Sequence, residues 1–484
     1  MKRRFFLTGA LSTAALPACA NAPDTSTRPS VRPAGGAAAA AGPAEGMIAE
    51  KGLTDRVAFV VADARTGEVL ESVNPIRPQP PASTLKTVTA LYALETLGAD
   101  HRFQTTVIAT GPVQGGRVAG DLVLVGGGDP ALDTDGLDDL ARQVRAAGIT
   151  SVGGSLLVSS GRLPIFERID RSQPEHVGYN PAVGGMNVNF NRVHFAWARS
   201  GAGYTTKMEA RTERFAPLVD SSRMSVADRS LPVYTYARQG DVDAWTVARG
   251  QLGGSGSRWL PVRNPLHYAG DIFAGRLAAQ GVTAGAPRVT SGIPQGQVVA
   301  RGQSAELSRI VRTMLRYSTN ITAEVLGMSS TAARGGGMRS LSDSGRAMSG
   351  WLAARAGTRR ADFDDHSGLN GSDRISPAEM VRMLTAQGAE ARLRPVLRDY
   401  SVGESNPVDT RAKTGTLNFV SCLTGYCDAR SGRRLAFATF CADLDRRNGL
   451  SVGQRERPEG GSAWNRRARS LQFDLIERWA RLYT

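Results

Sequence analysis

The sequence predicts an α+β protein: an antiparallel sheet flanked by helices, built from two chain segments and interrupted by a long, mostly β insertion. Three observations carry this. Strand-like runs lie near both ends of the chain, at "DRVAFVVADARTGEVLESVNP" and at "TRAKTGTLNFVSCLTGYC" with "RRLAFATFCADL". Helical periodicity follows the first and precedes the second. Between them, residues 99–301 are strand-like and broken by glycine, as in "FQTTVIAT" and "GDLVLVGGGDPAL". The expected layout is an export signal over 1–20, a disordered tether over 21–46, one domain from 47–98 and 302–484, and inserted material over 99–301.

The 484 residues are 41% hydrophobic and 21% charged, a globular balance. The N-terminus, "MKRRFFLTGALSTAALPACANAP", has a basic start, a short apolar stretch and then small residues, the pattern of a secretory signal. "RRFFL" resembles a twin-arginine signal, and the expected location is the periplasm. Two processing routes stay open. Ala18-Cys19-Ala20 suits cleavage to a soluble chain, whereas "LPAC" resembles a lipoprotein box with a lipid anchor at Cys19. "NAPDTSTRPSVRPAGGAAAAAGPAEG" has no periodicity and reads as a tether. The net charge of +15 comes from dispersed arginines. That distribution argues against nucleic acid and suits either an anionic envelope or a solvated Arg-rich surface.

Along the chain, Arg65-Thr66-Gly67 turns the first two strands into a hairpin. From Ser83, the residues Leu85, Val88, Leu91, Leu94 and Leu97 recur every three positions and Gly98 stops the helix. A second helix carries Leu307, Ile310, Val311, Met314 and Leu315 on one face. "DFDDHSGLNGSDRISPAEMVRML" reads as a polar loop entering a helix, and Leu471, Leu475, Trp479 and Leu482 mark a closing helix. Cys422, Cys427 and Cys441 fall on a hairpin. A two-residue turn at Ser431-Gly432 places Cys422 opposite Cys441, within disulfide reach. A Cys422–Cys441 bridge and three buried thiols are the two readings.

Of 59 basic residues only five are lysines: Lys2, Lys51, Lys86, Lys207 and Lys413. Two of the five fall in short motifs, Ser83-Thr-Leu-Lys86 and Lys413-Thr-Gly415, and Ser318-Thr-Asn320 lies between them. A serine hydroxyl attacks only when a neighbouring base takes its proton. Arginine keeps its proton in proteins; lysine gives it up when buried. Position 86 therefore calls for a cation able to become neutral, with burial and a nearby Lys413 both pressing it that way. Ser318 and Asn320, two residues apart, reach one cleft only from a loop between helices.

These motifs, with "GDLVLVGGGDPAL", "PVRNPLHYAGDIF" and "DHSGLNGSDRISP", resemble the D-alanyl-D-alanine carboxypeptidase/endopeptidase family, the class C low-molecular-mass penicillin-binding proteins. The resemblance covers nearly all of the chain after the tether. It implies a β-lactamase/transpeptidase-like domain whose insertion forms two nested subdomains. It further implies Ser83 as nucleophile, Lys86 as general base, Ser318 as proton relay, Asn320 as holder of the substrate amide, and Lys413 with Thr414 as binders of the terminal carboxylate. Gly415 would allow close approach, and the N–H groups of Ser83 and Thr416 would form an oxyanion hole. Peptidoglycan stem peptides are the implied substrates and β-lactams the covalent inhibitors. Thr319 departs from the family, which usually has Asp there; only contacts of that Asp are placed in doubt.

The alternatives are a β-lactamase of the same fold, against which the large insertion argues, and a catalytically silent wall-binding protein, against which the two retained lysines argue. No cofactor is implied. The five histidines are scattered without metal-ligand spacing, so no metal site is expected. The acid clusters "DGLDDL" and "DFDDHSG" read as solvated loops, and "GGGDP" as a tight turn.

Overall fold

The computed structural model describes residues 44–403, 407–456 and 458–483. The expected signal and Cys19 lie outside the described residues, as does the expected tether as far as residue 43. Residues 44–46 begin a short helix, Ala44–Glu50, whose Ala44 and Ile48 are buried against the closing helix.

Six strands form the sheet that carries the site, in the order Arg398–Val402, Val408–Leu417, Val420–Asp428, Arg434–Ala442, Val57–Asp63, Val69–Val73, with every neighbouring pair antiparallel. Strand Val57–Asp63 is buried along its whole length, which its continuous apolar run requires of a strand covered on both faces. Its side chains alternate. Val60 and Ala62 join a core with Leu85, Leu91, Met314 and Ile375, while Val57, Phe59 and Val61 join one with Leu471, Leu475 and Trp479. The sheet is thus the middle of three layers, and the two ends of the chain meet in it.

Helix Leu85–Leu97 lies in the first of those cores and stops at Gly98, φ 89°. It is buried on every side from Leu85 to Leu94, including Lys86, Thr87 and Thr89, so the single apolar face read from the spacing understates its burial. Helix Leu307–Tyr317 buries the five residues expected. It ends at Ser318, and helix Asn320–Ala333 begins directly after Thr319, so the Ser-x-Asn motif occupies the junction between helices.

From Gly98 to Gln303 the chain forms separate sheets. Strands Gln104–Ala109 and Gln297–Gln303 pair, so this segment leaves where it enters. They belong to a five-stranded sheet with Leu122–Val125, Leu156–Ser159 and Pro287–Thr290. Helices Thr134–Ala146 and Pro265–Ala279 share its core through Leu137, Leu140, Val144, Ile272 and Phe273. Farther in lie two three-stranded sheets, one centred on Arg192–Ser200 and one on Val242–Ala248. The "DGLDDL" stretch is not a solvated loop. It is helical, capped by Asp133, which accepts from the Gly136 N–H, and Leu137, Asp138 and Leu140 are buried.

The cysteine hairpin also differs from expectation. Its loop has three residues, Arg430, Ser431 and Gly432, closed by Ala429 N–H donating to the Arg433 carbonyl (2.8 Å), with Gly432 at φ 84°. Three-residue hairpin loops place just such a left-handed glycine last. The extra residue shifts the register by one, so Cys422 faces Phe440 and Cys441 faces Ser421. A one-residue shift moves a side chain to the other face. Cys422 packs in one core and Cys441 in the other, and Cys422, Cys427 and Cys441 are all free, buried thiols.

Candidate active site

Ser83 sits in a tight helical turn, Ala82–Thr84, at the start of helix Leu85–Leu97. Lys86, one turn on, is fully buried, and its Nζ lies 3.0 Å from Ser83 Oγ. The same Nζ donates to Asn320 Oδ1 (2.7 Å) and to the Ser367 carbonyl (2.7 Å). Those two partners accept only, and a neutral amine has two N–H groups. Once they are used, the lone pair of a neutral Lys86 faces the Ser83 hydroxyl. The Asn320 amide is oriented for this, because its Nδ2 donates to the Tyr179 carbonyl (3.0 Å). Tyr179 is 141 residues away in the inserted segment.

Ser318 adopts a left-handed conformation, φ 58° and ψ 38°, which a non-glycine residue rarely keeps without surrounding support. Its Oγ accepts from Lys413 Nζ at 3.0 Å, and the same Nζ donates to the Thr414 carbonyl at 2.7 Å. Lys413 opens the last stretch of strand Val408–Leu417. Pairing with the outer strand stops at Ala412, so Lys413 to Leu417 present a free edge to the Ser83 turn. A Cβ at Gly415 would stand 2.7 Å from the Pro81 carbonyl oxygen and 3.0 Å from the Ser83 and Thr84 nitrogens. Only glycine lets strand and turn approach this closely. Thr416 is exposed at the end of that edge.

Burial pushes Lys86 down to about 8, against the opposing pull of Asp365, Glu324 and Asp373. Burial, then the charges of Lys86 and Arg398, hold Lys413 well below the usual lysine range. The expected help from Lys413 is thus not what moves Lys86; the coupling acts on Lys413.

Behind Lys86 the second half of the "DFDDHSG" stretch is buried rather than solvated: Asp365, His366 and Ser367 are inaccessible, as is Asp373 beyond it, while Asp362 stays exposed. The Asp365 carboxylate accepts from the N–H groups of Ser367, Gly368 and Asn370 at 3.0, 2.6 and 2.8 Å. Glu324 accepts from the His366 N–H at 3.0 Å. These bonds aim the Ser367 carbonyl at Lys86. Burial of so many carboxyls raises Glu324 and Asp373 well above the usual range. Thr319, where the resemblance expects Asp, donates only to the Thr322 hydroxyl (2.9 Å).

The cleft holding Ser83, Ser318, Asn320 and Thr416 has a volume of about 300 Å³, and its rim adds Gln173, Tyr179, Arg447, Arg455 and Glu456. A larger cleft of about 810 Å³, lined by Arg168, Arg171, Arg339 and Arg346, contains none of the paired Ser and Lys groups. Of the eight sequence-predicted residues, Ser83, Ser318, Asn320 and Thr416 line the cleft, Lys413, Thr414 and Gly415 lie on the strand beside it, and Lys86 is buried beneath Ser83. The Ser367 and Tyr179 carbonyls and the buried carboxyls are additions that sequence reasoning missed. "DHSGLNGSDRISP" carried the resemblance without a role, and a backbone carbonyl has no residue-type signature. A hydroxyl, a base poised to become neutral and a second lysine beside the cleft equip the site for acyl transfer.

A family model described as D-Ala-D-Ala carboxypeptidase 3 (S13) matches residues 44–456. A D-alanyl-D-alanine carboxypeptidase of Actinomadura sp. is 30% identical over 78% of this chain and 76% of its own. The D-alanyl-D-alanine carboxypeptidase DacB of Haemophilus influenzae is 23% identical over 86% of this chain and 89% of its own. The crystal structure of penicillin binding protein 4 (dacB) from Haemophilus influenzae superimposes with a TM-score of 0.68 at 18% identity, over 90% of this chain and 99% of that one. The same protein complexed with a β-lactam gives 0.69. The fold is that of the penicillin-binding proteins. With the family model spanning nearly the whole described chain, the protein belongs to the D-Ala-D-Ala carboxypeptidase family.

Proposed function

We propose that the protein is a serine peptidase that attacks the bond between two D-alanines in peptidoglycan stem peptides, either at a stem terminus or within a cross-link, and that β-lactams acylate it. The observation that carries the reading is the 3.0 Å contact between Ser83 Oγ and the buried Lys86 Nζ. Neutral Lys86 takes the Ser83 proton as Oγ bonds to the penultimate D-alanine carbonyl carbon. The carbonyl oxygen, now negative, faces the N–H groups of Ser83 and Thr416, a device worth about 3–4 kcal/mol per donor. Lys413 and Thr414 hold the terminal carboxylate, and Asn320 the substrate amide. As the carbon–nitrogen bond breaks, the proton held by Lys86 passes through Ser318 to the leaving D-alanine amine, so Lys86 is neutral again and an ester on Ser83 remains. Water then attacks the ester carbon, releases the shortened peptide and returns the proton to Ser83. The peptidoglycan substrate and the N-terminal pattern together support export to the periplasm. No helix of the described residues is long and apolar enough to cross a membrane.

The test is incubation of the purified protein with cross-linked and uncross-linked muropeptides. Release of D-alanine or cleavage of cross-links is expected, and its loss in Ser83→Ala. Neither reaction in the unaltered protein would refute the proposal.

A further inference from the structure

Arg192 follows three consecutive left-handed residues, Asn189, Phe190 and Asn191, at φ 53°, 57° and 48°. Such a run in non-glycine residues persists only where the surroundings impose it. Here Asn189 Nδ2 donates to Thr134 Oγ1 (2.9 Å) and Asn191 Nδ2 to the Ala182 carbonyl (2.9 Å). The run fixes where the next side chains go. The Arg192 guanidinium lies between the rings of Phe190 and Trp259, 5.3 and 5.5 Å from their centroids.

Among the described residues this guanidinium has no hydrogen-bond acceptor and no ion-pair partner, and its Nε is fully buried. Burial lowers its affinity for the proton. Arg263, which is fully buried, instead donates to the carbonyls of Glu167, Asn180 and Glu175, although its Nε also lacks a partner. The Arg192 side chain is only partly buried, and its outer nitrogens stay open to an anion entering from the pocket.

The group lines a pocket of about 440 Å³ whose rim also carries Asp133, Asp135, Glu213 and Arg211. Arg211 is already engaged by Glu209 (3.0 Å) and Asp135 by Thr212 (hydroxyl to carboxylate, 2.6 Å). A planar guanidinium clamped between rings offers its edge to the two oxygens of a carboxylate. The acids on the rim repel a doubly charged phosphate and suit an amine or amide N–H on the same ligand. The pocket shares no lining residue with the catalytic cleft and is linked to it through packing. Arg192 packs beside Gly178, the residue before Tyr179, whose carbonyl orients Asn320. Phe190 packs against the cluster containing Ile321 and Leu369.

We propose that the pocket formed by Phe190, Arg192 and Trp259 is a second binding site, for the carboxylate of a short peptide. That the peptide comes from a neighbouring peptidoglycan strand rests on the function proposed above; the carboxylate site itself does not.

The test uses the protein first acylated with benzylpenicillin, so that the catalytic cleft is filled. Titration calorimetry is run with the dipeptide L-alanyl-D-alanine, which carries one carboxylate and one amine, and, separately, with inorganic phosphate. The dipeptide is expected to bind, Arg192→Gln to weaken it at least tenfold, and Arg192→Lys to weaken it less. Melting temperature and penicillin acylation of both variants should match the unaltered protein. Absence of dipeptide binding, equal binding in Arg192→Gln, or phosphate binding as tightly as the dipeptide would each overturn the proposal. Should Arg192→Gln fail to fold, Arg192→Lys gives the same reading: undiminished dipeptide affinity overturns it. Muropeptide cleavage is measured in parallel on unacylated protein, so the loss of either property is seen separately.

Discussion

The rate of acylation by a fluorescent penicillin should rise with pH in a way set by Lys86. Burial holds this lysine at about 8, against 10.5 for an ordinary lysine. At roughly 1.4 kcal/mol per unit, the charged form carries a penalty of about 3 kcal/mol in the native site. At pH 7 about one molecule in ten then has Lys86 neutral, against about one in three thousand for an ordinary lysine. Stopped-flow measurement should show the second-order acylation rate climbing about tenfold per pH unit from 5.5 towards 7.5, reaching half its plateau near 8. The groups that set this midpoint are Asp365, Glu324 and Asp373, which pull it up, and burial, which outweighs them. Because a base is depressed here, its destabilising effect on the fold is full below about 8 and fades as pH rises towards 10.5. Lys86→Arg should leave acylation about a thousandfold below the plateau of the unaltered protein and flat with pH, since arginine does not deprotonate. A rate independent of pH between 6 and 8, or an active Lys86→Arg protein, would refute the reasoning.

Other outcomes follow from the same geometry. Gly415→Ala forces its Cβ against the Pro81 carbonyl at 2.7 Å; a displacement approaching 1 Å between strand and serine costs about a hundredfold in rate, read as slower acylation in a protein that still melts cooperatively. Thr319→Ala should acylate at the unaltered rate, because its hydroxyl reaches only Thr322. Peptide mapping under non-reducing conditions should find Cys422, Cys427 and Cys441 unpaired, with thiol labelling slow until the protein is unfolded. A Cys422–Cys441 peptide would contradict the observed register.

The three motifs were legible because their chemistry is written in side chains at fixed short spacing, and the scarcity of lysine made Lys86 and Lys413 conspicuous. The helix junction at Ser318 was legible for the same reason, since two residues at i and i+2 reach one cleft only from a bend. What stayed hidden was carried by backbone or by burial. The Ser367 and Tyr179 carbonyls could belong to any residue type. Asp365 looks like a solvated acid until the N–H groups of its own loop are seen to converge on it. The hairpin was misread by one residue because Ser431-Gly432 is a plausible two-residue turn and only the left-handed Gly432 in a three-residue loop separates the cases. That single residue decides whether Cys422 and Cys441 share a face. The helix at Thr134–Ala146 was missed because its acids were weighed above the spacing of Leu137, Leu140 and Val144.

The most direct measurement is mass spectrometry of the protein digested after brief exposure to benzylpenicillin. A penicilloyl ester on the peptide containing Ser83, absent from Ser83→Ala, is the result required if the buried amine beside that hydroxyl activates it. An adduct on a different residue, or an unmodified Ser83 peptide in folded protein, would contradict it.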